Sequence, residues 1–309
     1  MKPINLKIIS SGKYVPKGTI TNEDLEKIVD TSDEWIVSRT GIKKRHKAAG
    51  EIVTELAYKA ALDAIEAVSY DTSKIDLIIV ATITNKLRTP SVGNEIQRML
   101  GLKHDVMSFD VTAACTGFIY AMDVAASLFL TGRYRGALII GAETLTDIVD
   151  YTDRNTCILF GDGAGAVIVE PTAENKPSYY YSAATPDDNG YLTVDDTIRM
   201  DGKRVYQFAV DAMEKGITRM LEVSGLTMAD IDRIIPHQAN QRIIQAVAKN
   251  MNIAMDKFVM NIAEYGNTSA ASIPISLNEY LLKEGQSGQK LIFVGFGGGF
   301  TWGSALMTL

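Results

Sequence analysis

The second half of this 309-residue chain echoes the first, and that echo restricts the possible folds more than any other feature. Thr72 to Val80 reads Thr-Ser-Lys-Ile-Asp-Leu-Ile-Ile-Val, and Met228 to Pro236 reads Met-Ala-Asp-Ile-Asp-Arg-Ile-Ile-Pro. Each follows a long amphipathic segment. Ala137-Leu-Ile-Ile-Gly141 is matched by Lys290-Leu-Ile-Phe-Val-Gly295, and a glycine-rich turn with a terminal strand closes each half. The copies lie roughly 150 residues apart, as a duplicated α/β unit requires. The expected units are residues 1–171 and 172–309. From Pro171 to Asp201 the periodicity fades, and a connector or decorated loop is expected there.

Local patterns supply the elements. Leu6 to Ser10 is predicted as a strand, and Thr21 and Thr31 open capped helices, with Gly41 stopping the second. Thr54 to Val68 carries an apolar helical stripe. Ile75 to Thr84 is a continuous apolar run, as in a strand buried on both faces. Pro90 to Leu100 is predicted helical, and Ala137 to Gly141 another buried strand. Cys157 to Phe160 and Ala164 to Glu170 are expected to be strands flanking a hairpin turn at Gly161-Asp-Gly163-Ala-Gly165. That run does not open a helix after a strand, so it is a poor dinucleotide site. Further on, Val205 to Gly225 and Gln241 to Asn250 are predicted helices, and a helix leads from the Asn267 turn through Lys283. Ile231 to Ile235, Leu291 to Gly295 and Trp302 to Leu309 are predicted strands.

One stretch stands apart. Asp110-Val-Thr-Ala-Ala-Cys115-Thr-Gly-Phe runs on to Leu130 as a helix with almost no polar face, which belongs in a core. Cys115 falls at its start, where free N–H groups and the helix dipole lower a thiol's pKa. A small buried hydrophobe is the plain alternative for that cysteine. Cys115 and Cys157 are the only cysteines, too few for a disulfide scaffold or a cysteine zinc site; reduced thiols suit a cytoplasmic protein. A net charge of −6 argues against nucleic acid as the main partner. Asp123 interrupts the longest apolar stretch, so no membrane segment is expected.

His46 and His104 sit in charged segments and are expected to be solvated. His237 follows a buried strand, where α/β sheets collect functional groups. Asn267 is a helix cap or a side-chain donor. Gly297-Gly298-Gly299 is a tight turn or a source of oxyanion-binding N–H groups. No metal-ligand spacing is present. A Cys–His–Asn set permits papain-like hydrolysis or acyl transfer through a thioester, and the duplicated βα pattern favours the second.

Five motifs now carry a resemblance: Asp30-Thr31-Ser-Asp-Glu-Trp35-Ile-Val-Ser-Arg39-Thr-Gly, Ala113-Ala-Cys115-Thr-Gly-Phe, Pro236-His237-Gln-Ala-Asn240, Gly266-Asn267-Thr-Ser-Ala-Ala-Ser and Phe296-Gly-Gly-Gly-Phe-Thr-Trp-Gly-Ser. In this order, nearly end to end, they closely resemble the β-ketoacyl-acyl carrier protein synthase III family, the initiating condensing enzymes of type II fatty acid synthesis. The resemblance implies a thiolase-like α/β fold of two similar halves in five α-β-α-β-α layers, usually as a homodimer. It implies that Cys115 takes an acyl group from acyl-CoA. His237 and Asn267 then hold the thioester carbonyl of malonyl-acyl carrier protein during decarboxylation, and the N–H groups of Cys115 and Gly298 form the oxyanion hole. No metal or organic cofactor is implied.

By motif position, Trp35 and Arg154 resemble the pair that sandwiches the CoA adenine. Thr31 and Arg39 resemble further CoA contacts, Asn240 a pantetheine contact and Phe296 a wall behind the site. Arg242 and Lys249 resemble the basic surface that docks the acidic carrier protein. Two positions depart from the family. Gly202-Lys203 stands where Gly-Asn is common, so that asparagine contact is lost. Thr89 stands where Phe often caps the acyl pocket, commonly from the partner subunit, and a roomier primer pocket is expected. Remaining alternatives are a related thiolase-fold condensing enzyme of secondary metabolism, a cysteine acyl-CoA hydrolase, and a binding module with a structural Cys115.

Overall fold

The computed structural model describes residues 2–309. The first half opens with β1 (Ile4–Tyr14) and a small hairpin, β2 (Gly18–Thr21), which encloses α1 (Asn22–Glu26) and α2 (Asp33–Thr40) before returning as β3 (Lys44–Lys47). It continues through α3 (Val53–Glu66), β4 (Ile75–Ala81), α4 (Val92–Met99), β5 (Met107–Val111), α5 (Gly117–Phe129), β6 (Gly136–Thr144) and β7 (Asp162–Pro171). The second half holds β8 (Pro177–Ala184), the hairpin β9 (Leu192–Val194) and β10 (Ile198–Met200), α6 (Gly202–Ser224), β11 (Arg233–Pro236), α7 (Gln241–Asn250), α8 (Ile262–Tyr265), α9 (Ser272–Lys283), β12 (Lys290–Gly297) and β13 (Thr301–Thr308). Caps mark the starts: Thr21 and Asp24 form a capping box on α1, and the Ser32 hydroxyl accepts from Trp35 N–H. Gly41, at φ 82°, ends α2 as expected.

The duplication is visible strand by strand. In the first half, β4 runs parallel to β5 and β6, and β7 lies antiparallel to β6 and β1. In the second, β11 runs parallel to β12 and bridges in parallel to Phe258; β13 lies antiparallel to β12 and β8. The two arrays join into one nine-stranded sheet through the pairing of Ile4 and Asn5 with Ser178 and Pro177. The central strands of each array bury both faces. Leu77 and Ile79 of β4 point to a central core with α5 and α9, whereas Ile78 and Val80 point outward to α3 and α4. Leu291 and Phe293 of β12 enter the same central core, and Ile292 and Val294 face α6 and α7. The result is the five-layer α-β-α-β-α thiolase fold, with α5 and α9 sharing the middle layer.

Two expectations are corrected. The run Gly161-Asp-Gly163-Ala-Gly165 is no hairpin turn: residues 162–171 form β7, and Cys157–Leu159 lies in turns. The glycines serve close packing. A Cβ on Gly165 would lie 2.7 Å from Ile275 N and Pro274 C, backbone atoms of α9. Pro171 to Asp201 is likewise not a connector throughout, because β8 is a sheet strand between β13 and β1. Its tyrosines alternate, with Tyr180 buried towards the central core and Tyr179 and Tyr181 packed on the other side.

Gly165→Ala tests that packing. Overfilling a site walled by backbone is expected to cost about 3 kcal/mol of unfolding free energy, read by urea denaturation. A change within about 0.5 kcal/mol, as at a neutral surface position, would show that α9 yields freely.

Candidate active site

Two turns of 3₁₀ helix carry the candidate groups into one place. Ala114–Thr116 precedes α5 and holds Cys115; Ser269–Ala271 precedes α9 and follows Asn267. They are equivalents in the duplication, and each begins with a non-glycine residue in left-handed geometry, Ala114 at φ 45° and Ser269 at φ 49°. His237 leaves the end of β11, its N–H held by Val294 O at 2.8 Å. Asn267 is clamped through its backbone: its N–H donates to Leu159 O at 2.8 Å, and its carbonyl accepts Gly161 N–H at 3.0 Å.

A single cavity of about 1320 Å³ receives these residues. This exceeds the roughly 300–1,000 Å³ of ordinary small-molecule pockets. Cys115, His237, Asn267, Phe296 and Gly297–Gly299 line it. So do Trp35, Arg39, Lys203, Asn240 and Arg242. Arg39, Lys203 and Arg242 are exposed, whereas His237, Asn267 and Phe296 are buried, so the cavity runs from a basic rim to a buried interior. Thr31, Thr89, Arg154 and Lys249 do not line it. Thr89 and Lys249 are exposed, and the half-buried Thr31 has a hydroxyl with no partner. The Arg154 guanidinium stacks 4.8 Å from the Trp35 ring centroid, a cation–π contact. Among the described residues, no group of three or more His, Cys, Asp or Glu is placed to hold a metal, and no helix is long and apolar enough to cross a membrane.

Hydrogen bonds fix what each side chain can offer. Asn267 Oδ1 accepts Ser269 N–H at 2.8 Å, which leaves its Nδ2 as the free donor. His237 Nδ1 lies 2.7 Å from Ser272 Oγ, while its Nε2 is buried without a protein partner. Phe296 meets the imidazole edge-on at 5.4 Å. A Cβ on Gly297 would lie 2.9 Å from Cys115 N, so only glycine leaves that amide open.

The thiol is not the low-pKa group that its helix start predicts. Burial pushes Cys115 up to about 12 and the Glu143 carboxylate adds to the rise, while hydrogen bonding from the Ser269 hydroxyl and from the Cys115 backbone opposes it. Burial likewise pulls the His237 imidazole down to about 3. Glu143 was missed at the sequence level. It is fully buried, accepts from Thr84 Oγ1 at 2.8 Å, Ile83 N at 3.1 Å and Ser269 Oγ at 3.3 Å, and is pushed up to about 7 by burial. Its one signal was a lone carboxylate at the carboxyl end of an apolar strand. The other histidines are not simply solvated. His46 Nδ1 sits 2.6 Å from Pro16 O, and His104 Nε2 2.9 Å from Ile75 O.

Comparison with known proteins agrees with the motifs. Residues 109–186 match the model for 3-oxoacyl-[acyl-carrier-protein] synthase III, and residues 221–309 match the model for its C-terminal part. A β-ketoacyl-[acyl-carrier-protein] synthase III of Acholeplasma laidlawii is 52% identical, over 100% of both chains. The crystal structure of 3-oxoacyl-[acyl-carrier-protein] synthase III from Aquifex aeolicus superposes with a TM-score of 0.96 at 44% identity, covering 99% of this chain and 100% of that one. The priming β-ketosynthase of the R1128 polyketide pathway superposes with a TM-score of 0.93 at 31% identity, covering 99% and 97%.

The raised thiol pKa sets a pH dependence. A thiol with its pKa near 12 is protonated at neutral pH, and its reactive thiolate grows about tenfold per pH unit. Iodoacetamide alkylation of Cys115 in substrate-free enzyme is expected to climb steadily from pH 7 to 10, with Cys115→Ser reporting the background from Cys157. A plateau below pH 8 would show a thiolate stabilised at the helix start.

Proposed function

The chain belongs to the β-ketoacyl-acyl carrier protein synthase III family, and we propose that Cys115, His237 and Asn267 carry its reaction. The enzyme is an acyltransferase that condenses an acyl-CoA primer with malonyl-acyl carrier protein, giving 3-oxoacyl-acyl carrier protein, CoA and CO₂. The observation that carries the residue assignment is the convergence of thiol, imidazole, carboxamide and glycine turn on one deep cavity with a basic rim.

Cys115 Sγ attacks the primer thioester, and the thiol proton leaves with the CoA sulfur. Malonyl-acyl carrier protein follows. As CO₂ departs, its bonding electrons pass into an enolate whose oxygen is held by donors from His237 Nε2 and Asn267 Nδ2. The enolate carbon attacks the acyl-Cys115 carbonyl, and the N–H groups of Cys115 and Gly298 hold the oxyanion; one such donor is worth about 3 kcal/mol. Collapse expels the Cys115 thiolate, which takes up a proton. The nucleophile thus belongs to the 1–171 half, and the two enolate donors to the 172–309 half.

Around this centre, Trp35, Arg154, Thr31 and Arg39 serve the CoA nucleotide, Asn240 the pantetheine arm and Phe296 the rear wall. Arg242 and Lys249 stand two turns apart on one exposed face of α7, as a dock for an acidic carrier protein needs. A homodimer is supported by β5, an edge strand without an outer partner, and by Thr89, which is exposed instead of lining its own cavity. The two free cysteines suit the reducing cytoplasm. With Thr89 in place of a large aromatic, the primer range extends beyond acetyl.

Mass spectrometry after incubation with acetyl-CoA is expected to find an acetyl adduct on Cys115; its absence would end the nucleophile assignment. His237→Ala is expected to retain Cys115 acylation and lose malonyl decarboxylation. Equal loss of both steps would make His237 the base that activates the thiol. Rates with acetyl-, isobutyryl- and hexanoyl-CoA should fall gently along the series, whereas a steep loss beyond acetyl would exclude the roomier primer pocket.

A further inference from the structure

His237 is 1% exposed, and burial keeps its imidazole neutral. A neutral imidazole has one proton and two nitrogens, so its chemistry depends on which nitrogen holds the proton. Nε2 lacks a protein partner and belongs to a ring that lines the cavity. Nδ1 faces the hydroxyl of Ser272, the first residue of α9, at 2.7 Å.

That hydroxyl has a second neighbour, the carbonyl of Ser269 at 2.8 Å. A hydroxyl owns one proton, and a carbonyl only accepts. If the proton goes to Ser269 O, then Nδ1 must be the protonated nitrogen and Nε2 offers a lone pair. If it goes to Nδ1, then Nε2 is the N–H. The Ser269 carbonyl already accepts the backbone N–H of Ser272, which closes the 3₁₀ turn, so it is satisfied without the hydroxyl. Among the described residues, the Ser272 hydroxyl is the hydrogen-bond partner of Nδ1.

We infer that Ser272 is a positioning residue that sets the tautomer of His237: its hydroxyl donates to Nδ1 and so places the imidazole proton on Nε2, facing the cavity. Asn267 is treated in parallel. Ser269 N–H pins Oδ1 and leaves Nδ2 as the donor. One short segment, Ser269 to Ser272, therefore presets both N–H groups that the enolate requires, one through a backbone amide and one through a hydroxyl. The catalytic consequence rests on the condensing reading above; the tautomer itself does not.

Nitrogen NMR of enzyme carrying ¹⁵N-histidine tests this directly, because the chain has only three histidines. His237→Ala identifies the relevant signals. In substrate-free wild type at pH 7, Nε2 is expected to be protonated and Nδ1 to be a hydrogen-bonded acceptor. Ser272→Ala should move the Nδ1 signal and lower malonyl decarboxylation about tenfold, the equivalent of one hydrogen bond, while Cys115 acylation falls far less. Ser272→Thr, which keeps a hydroxyl, should restore both readouts. A wild-type spectrum with the proton on Nδ1 overturns the inference even if Ser272→Ala does not fold. Equal loss of both half-reactions with an unchanged His237 spectrum also overturns it. A Ser272-dependent Nε2–H in a protein that neither acylates Cys115 nor decarboxylates malonyl thioesters supports the inference and sinks the condensing reading instead.

Discussion

The whole site depends on how closely two turns meet at the centre of the molecule. A Cβ on Gly141 of β6 would stand 2.2 Å from Ala270 O, and one on Gly117 would stand 2.9 Å from the Ala81 Cβ. These glycines let the turns at Ala114–Thr116 and Ser269–Ala271 nest between the two sheets. Ala114 and Ser269 both hold left-handed backbone, which costs each about 1 kcal/mol or more and persists only where packing leaves no alternative. Duplication explains why the strain appears twice. Cys115 and Asn267 sit at corresponding tips of a repeated unit, so the central layer fixes their separation.

The same burial governs charge. Thiol, imidazole and the Glu143 carboxyl are each pushed towards their neutral forms, to about 12, about 3 and about 7. The interior therefore carries little charge of its own, while uncommitted N–H donors face it. Such an interior favours reactions that create negative charge on substrate oxygen, because donors already aimed need not reorganise. The basic residues lie outside it, at the rim, where water still reaches them.

What the sequence revealed was local or repeated. The cap at Thr21, the stop at Gly41, the doubled apolar strands and the five motifs were readable because each rests on neighbours in the chain, whereas the second cap falls at Ser32, one residue past the expected Thr31. What it hid was set by tertiary contact. Gly163 and Gly165 look like a turn but lie in a strand, because the demand for glycine comes from α9, more than a hundred residues away. Cys115 was correctly placed at a helix start, yet the sequence could not weigh the dipole against burial and a carboxylate from β6. Arg45 sits in a run of charges that reads as solvated, but it is fully buried, held by Asn22 Oδ1 at 2.7 Å and the Ile158 carbonyl. Ser272 looked like one more polar residue of a capping segment; only its distance to an imidazole 35 residues back gives it a further meaning.

Under the proposed CoA sandwich, the stacked Arg154 and Trp35 have a consequence for how a nucleotide gains entry. With the guanidinium 4.8 Å from the ring centroid, the two already spend their attraction on each other, and Asp30 restrains the arginine at 3.5 Å. A flat base entering between them replaces that contact with two new ones, so its net gain is the difference between two stacked states. Such an exchange makes the adenine end a weak anchor that releases readily. That property suits an enzyme whose first product is free CoA.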